Sequence, residues 1–98
     1  MATVYILFSK KLDRYYVGSC LNFDERIAEH NSKEYQNSYT GKADDWELYY
    51  KLDNLGYRQA REIENHVKKM KSRNYIQNLK KYSEISIKLL SLYKNDTN

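Results

Sequence analysis

A chain of 98 residues buries only about two thirds of the surface that its unfolded form exposes, so residues 1–94 read as a single domain with room for one site, and residues 95–98 as a frayed tail. A content of 41% hydrophobic and 31% charged residues is that of a soluble globular protein, and the longest apolar run, Val4 to Phe8, is too short for a membrane span or a signal-peptide core. A cytoplasmic location with no membrane partner is therefore expected. The single cysteine, Cys20, excludes an internal disulfide and a cysteine-based zinc site.

The net charge of +4 is unevenly placed: residues 66–98 hold eight Lys and Arg against two acids, whereas residues 1–65 hold nine against eleven. A basic C-terminal third is the composition of a phosphate-binding surface, although a solvated helix face has the same charge.

In chain order, Val4–Ser9 and Arg14–Ser19 are rich in β-branched and aromatic residues and flank a polar turn, which predicts a hairpin. A turn centred between Lys11 and Leu12 sets Tyr5 opposite Gly18 and Leu7 opposite Tyr16. Both tyrosines then share one sheet face, while Val4, Ile6, Phe8 and Val17 take the other. Gly18 would leave space beside Tyr5 for a substrate oxygen or a bound water.

Asn22 or Asp24 can cap a helix over Phe23–Asn31, on which Arg26 and His30 lie one turn apart at the edge of an apolar stripe. Residues 32–45 show no apolar period and read as a loop. Trp46, Leu48, Tyr50 and Leu52 alternate with polar positions and predict a third strand with one buried face. After Gly56, the residues Ala60, Ile63, Val67 and Met70 keep a helical period from Arg58 to Met70. The helix is expected to continue over Lys71–Leu79, and a last amphipathic segment spans Ile85–Leu92. The fold class is thus α+β, a small three-stranded antiparallel sheet flanked by helices in the order β-β-α-β-α-α.

On the helix after Gly56, Glu64 lies at the border of the apolar stripe and Glu62 further from it. A carboxylate at such a border can hold a hard divalent ion that keeps most of its waters. An i,i+4 pair with Lys68 would account for it equally. Further along, Lys68, Lys69, Lys71, Arg73, Lys80 and Lys81, interleaved with Tyr75 and Tyr82, suit phosphates and stacked bases.

Taken together, Val4-Tyr5-Ile6-Leu7, Tyr16-Val17-Gly18-Ser19, Glu25-Arg26 with His30-Asn31, and Glu64 resemble the catalytic module of the GIY-YIG nuclease superfamily from about Thr3 to Leu79. The likeness is to the small stand-alone bacterial branch, similar to the N-terminal domain of excision-repair nucleases. The resemblance implies a metal-dependent endonuclease that hydrolyses phosphodiesters in DNA with low sequence specificity, in repair or recombination. It implies Tyr5, Tyr16, Arg26 and His30 as the catalytic set, Gly18 as a positioning residue, and Glu64 as the ligand of one divalent ion, Mg²⁺ or Mn²⁺.

In that set a motif tyrosine would deprotonate the attacking water, and Tyr5 is favoured, its pKa of about 10 lowered by a guanidinium or a metal. Arg26 would stabilise a phosphate oxygen in the transition state. Two other readings stand beside the nuclease: a catalytically weak nucleic-acid-binding module, and a subunit of a larger nuclease complex with a protein partner that supplies targeting. One departure from the family pattern is the stretch Lys42-Ala43-Asp44-Asp45-Trp46, which puts two acids where relatives carry a basic residue and a proline. Those acids would disfavour DNA approach from that side.

Overall fold

The computed structural model describes residues 1–31 and 42–94. Most of the segment read as a loop, residues 32–41, and the tail 95–98 lie outside the described residues. The elements run β1 (Ala2–Ser9), β2 (Arg14–Cys20), α1 (Phe23–Asn31), β3 (Glu47–Leu55), α2 (Tyr57–Met70), α3 (Arg73–Lys81) and α4 (Ser83–Leu92). β1 is the central strand of an antiparallel sheet in the order β2-β1-β3, which leaves β2 as an edge.

The hairpin register is the expected one, with Tyr5 opposite Gly18 and Leu7 opposite Tyr16. Because successive side chains alternate between faces, this register divides the core into two layers. On one face Tyr5, Leu7, Cys20 and Trp46 pack with Phe23 and Ile27 of α1. On the other, Ala2, Val4, Ile6, Val17 and Leu55 pack under Ala60, Ile63 and Val67 of α2, Leu79 of α3 and Leu89 of α4. Full burial of a side chain such as Ile63 or Leu79 contributes about 1.5–3 kcal/mol, so the apolar stripes of α2 and α3 are what seat them on the sheet.

β3 departs from the simple alternation. The pairs Ile6↔Tyr50 and Leu7↔Leu48 skip Tyr49, and a second shift falls between Ala2↔Leu55 and Val4↔Leu52. An extra residue in one strand reverses the faces beyond it. Trp46 therefore joins the tyrosine layer, Tyr50 and Leu52 join the α2 layer, and Leu48 stays 42% exposed. The second shift coincides with Asn54, whose φ of 61° lies in the left-handed region that asparagine tolerates.

Two helical expectations also change. Met70, read as the end of the α2 stripe, is 44% exposed. The helix does not continue through Lys71: that residue adopts φ 47° and closes α2, its N–H bonding to the Lys68 carbonyl. Ser72 then starts α3 by accepting a hydrogen bond from the Tyr75 N–H at 3.1 Å. The serine cap supplies the partner that a new helix start needs, which is why the break falls there.

Candidate active site

Tyr5 points from the central strand into the α1 layer, is 1% exposed, and meets His30 there: its hydroxyl lies 2.9 Å from His30 Nε2. Phe23 stands edge-on to the Tyr5 ring at 5.5 Å. Tyr16, half-buried on the edge strand, completes a cluster of three rings, with centroids 5.0 Å from His30 and 6.4 Å from Tyr5. Trp46 backs Tyr16 edge-on at 6.3 Å.

The space over Gly18, read as room for substrate, is taken by the Tyr5 phenol. A Cβ at position 18 would lie 2.6 Å from the Tyr5 hydroxyl oxygen. Here the missing side chain seats Tyr5 against the strand and fixes where its hydroxyl sits.

Arg26 and Glu29, at i and i+3 on α1, approach to 3.9 Å. The Arg26 charge acts on Tyr5, Cys20 and His30 alike, in each case favouring the lower pKa. For Tyr5, however, burial is the larger effect: it pushes the phenol above the ordinary tyrosine range, the neighbouring Tyr16 adds to the rise, Arg26 opposes it, and Cys20 and Glu64 raise it further. The Arg26 charge alone therefore does not bring Tyr5 toward the working range, since the charged phenolate is disfavoured where water cannot solvate it. His30 is held below the ordinary histidine value, first by burial and then by Arg26, and is neutral at pH 7. Burial likewise raises the Cys20 thiol, which keeps it protonated and unsuited to nucleophilic work.

Glu64 reaches the site from the other side of the sheet. α2 packs on the face opposite the tyrosines, and Glu64 stands at the β2 edge, where Oε1 accepts a 2.5 Å hydrogen bond from the Ser19 hydroxyl. Its Oε2 accepts from Lys68 Nζ at 2.6 Å, so the i,i+4 pair is present as well. Tyr5, Tyr16, His30 and Arg26 are thus one group on the α1 face. Glu64 joins them around the sheet edge through its field on Tyr5, with no direct hydrogen bond to the ring cluster among those described. Ser19 closes the Tyr16-Val17-Gly18-Ser19 string but is not among the site residues that the sequence singles out, because only the α2 packing brings a carboxylate to it.

A divalent ion is tested by this donor set. No group of three or more His, Cys, Asp or Glu residues able to hold a metal occurs among the described residues. A lone carboxylate with a 14% exposed side chain and an adjacent hydroxyl does fit Mg²⁺, which keeps several waters and takes one or two carboxylates plus substrate phosphates. Lys68 would have to leave Oε2 for that oxygen to reach such an ion.

The basic residues are less uniform than their charge suggests. Arg73 donates to the Asp13 carbonyl at 3.1 Å and to Asp13 Oδ1 at 3.0 Å, clamping a hairpin turn whose Asp13 has φ 52°. Its guanidinium also lies 5.2 Å from the Tyr15 ring centroid. Lys69 and Lys71 are exposed at the end of α2, and Lys68 and Lys71 line a groove of about 280 Å³ beside Arg14 and Tyr15. The acids of the 42–46 stretch also have internal partners. Asp45 accepts from the Ser9 hydroxyl at 2.6 Å and the Lys11 N–H at 3.1 Å, and Asp44 accepts from Lys11 Nζ at 2.7 Å. Beside them, Asn31 and Trp46 exchange two hydrogen bonds at 3.0 and 2.9 Å, which tie the end of α1 to the start of β3.

Residues 1–82 match the family model of the GIY-YIG catalytic domain. The chain belongs to this family. Comparison with curated proteins and with solved structures returns no match. GIY-YIG domains are nuclease domains that hydrolyse phosphodiester bonds and generally use a divalent metal, so a nucleic acid is the substrate class. None of the described helices is long and apolar enough to cross a membrane.

Proposed function

We propose that this GIY-YIG domain is a metal-dependent endonuclease of the small stand-alone bacterial branch that cuts DNA with low sequence specificity, in repair or recombination. The observation that carries the reading is the Tyr5–His30 hydrogen bond, with the Tyr16 ring tilted beside it and the Arg26 charge acting on both, inside a chain matched by the nuclease family.

The residues divide the work by exposure. Tyr16, the half-buried ring of the pair, faces the attacking water, and neutral His30 beside it is the acceptor for its proton, an uptake that burial opposes and the negative charge building on the phosphate favours. Tyr5 holds the imidazole through its hydroxyl and is a positioning residue. Arg26, always charged, offers a fork of donors to a nonbridging phosphate oxygen as negative charge builds there. The water oxygen bonds to phosphorus, the bond from phosphorus to the leaving oxygen breaks, and the water proton passes to the Tyr16–His30 side. Glu64, oriented by Ser19, would hold Mg²⁺ or Mn²⁺, which supplies Lewis-acid stabilisation to the phosphate and the leaving oxygen.

A second reading, a weakly catalytic nucleic-acid-binding module, is favoured by one feature: both Glu64 oxygens already have partners. Purified protein incubated with single-stranded, duplex, flap and junction DNA and with RNA, in Mg²⁺, Mn²⁺ or EDTA, separates the two. Metal-dependent cleavage supports the nuclease. Tight binding without cleavage on every substrate replaces it with the module.

A further inference from the structure

Around the end of β2, a cleft of about 330 Å³ opens between α1 and α2, with Arg26 in its lining. It adjoins the site directly, since Arg26 and Ser19, the donor to Glu64, are among its lining. Its floor includes the small apolar Ala2 and Ala60, and two large apolar side chains at its mouth are left in water: Leu21 is 66% exposed and Tyr57 61%. An exposed aromatic ring ordinarily moves freely, but this one is held. Arg61, one helical turn on, donates to the Tyr57 hydroxyl at 3.2 Å and sets its guanidinium 5.8 Å from the ring centroid.

The rim chooses between a phosphate and a base. Two guanidiniums, Arg26 and Arg61, and two carboxylates, Glu25 and Glu29, share the lining, and Arg26 and Glu29 approach to 3.9 Å. With two positive and two negative charges, the lining gives a bare phosphate no net attraction. A nucleobase is flat, largely uncharged and edged with donors and acceptors, and it suits an apolar floor, an aromatic platform and a mixed rim together.

We propose that this cleft is a subsite for an unpaired nucleobase next to the phosphate being cut, with the base stacked on Tyr57 and Arg61 holding the platform and the adjoining backbone. This inference rests on the nuclease reading of the neighbouring site. A base inside a duplex is covered on both faces by its neighbours, so the subsite selects strands that are single or locally unpaired. Neither Tyr57 nor Arg61 belongs to a motif, which is why only the fold reveals them.

Binding in EDTA tests the subsite apart from the chemistry. The probes are oligothymidine of about ten nucleotides, its RNA counterpart and a duplex of equal length, read by fluorescence anisotropy across a salt series. Tyr57→Ala is expected to weaken single-strand binding about 5-fold or more with an unchanged salt slope, because a stacked base carries no counterion. Tyr57→Trp restores the affinity, Arg61→Ala weakens binding and makes the slope shallower, and duplex binding is indifferent to Tyr57→Ala. Equal single-strand affinities for wild type, Tyr57→Ala and Tyr57→Trp overturn the proposal, as does a cleft whose substitution changes only self-association in sedimentation. A wild type that binds as described but cuts nothing in Mg²⁺ or Mn²⁺ sinks the nuclease reading and leaves the subsite standing.

Discussion

The Tyr5 hydroxyl occupies the place where a side chain at Gly18 would begin: a Cβ there would fall 2.6 Å from the oxygen and 2.7 Å from Cζ. Tyr5 cannot swing aside, because its ring is buried under Phe23 and its hydroxyl is bonded to His30. Gly18→Ala should therefore cost about 1–3 kcal/mol of stability, the usual range for overpacking a core. Urea denaturation checks this, and a variant as stable as wild type would show that the ring has room to give. Cleavage should fall with it, since a displaced Tyr5 releases the imidazole.

The two motif tyrosines should fail in different ways. Tyr16→Phe removes the hydroxyl on the water side and is expected to slow cleavage by about two to four powers of ten, the range for removing a proton-transfer group, with little change in stability. Tyr5→Phe removes the buried hydroxyl that bonds His30 Nε2, at about 1–3 kcal/mol, and should lower the melting temperature as well as the rate. Measuring rate and melting temperature on both variants distinguishes a proton-transfer phenol from a positioning one. The reverse pattern would return the base to Tyr5.

His30 makes stability depend on pH. Tyr5, Tyr16, Arg26 and Glu29 face it; burial, then the Arg26 charge, hold its pKa below the unfolded value, and Glu29 opposes them in part. At pH values above about 6.5 both states are neutral and the full stability is present. As pH falls through that value the unfolded chain takes up a proton that the folded chain resists, so stability declines until the folded pKa is passed. Urea midpoints should fall between about pH 7 and pH 5, and His30→Gln should flatten that part of the curve. Asp45, whose carboxyl is held below the ordinary range chiefly by the Ser9 hydroxyl, acts in a more acid window and keeps its own slope in the variant.

Much of the fold is legible in the residues because local rules agree with one another. The turn at Lys10–Asp13, the strand composition and the alternation of Tyr5, Leu7, Tyr16 and Gly18 all require the same register, and the structure has it. α1 ends where its stripe and Asn31 place it. What the residues do not disclose depends on packing between distant segments. The skip at Tyr49 sends Trp46 behind Tyr16, and no alternation pattern contains an extra residue. Asp44 and Asp45 read as charges repelling DNA, yet they brace the hairpin turn through Lys11 and Ser9. Helix phase picks out Glu64, but its partner Ser19 follows only from α2 lying against β2.

The lysines allow a cleaner test than charge alone suggests. Lys68 is bound to Glu64, so its substitution would mix two effects. Charge reversal at Lys69 and Lys71 leaves Glu64 intact and should weaken nucleic-acid binding while lowering the salt slope by about one for each phosphate that is no longer neutralised. An unchanged slope would make both lysines part of a solvated helix face.

Glu64 and Ser19 separate cleavage from binding. Glu64→Ala removes the carboxylate that would hold the ion, and removing one group that stabilises the transition state costs about two to three powers of ten or more in rate. Nucleic-acid affinity in EDTA should survive, because Arg26 and the basic end of α2 remain and Lys68 is released from its pair. Ser19→Ala keeps the carboxylate but frees Oε1, so it should weaken the metal affinity, seen as a higher Mn²⁺ concentration for half-maximal rate, without abolishing cleavage at saturating metal. Arg26→Ala should impair rate and affinity together. Cleavage by Glu64→Ala at the wild-type rate would remove Glu64 from the site, and a Ser19→Ala variant with unchanged metal dependence would reduce that hydrogen bond to a packing contact.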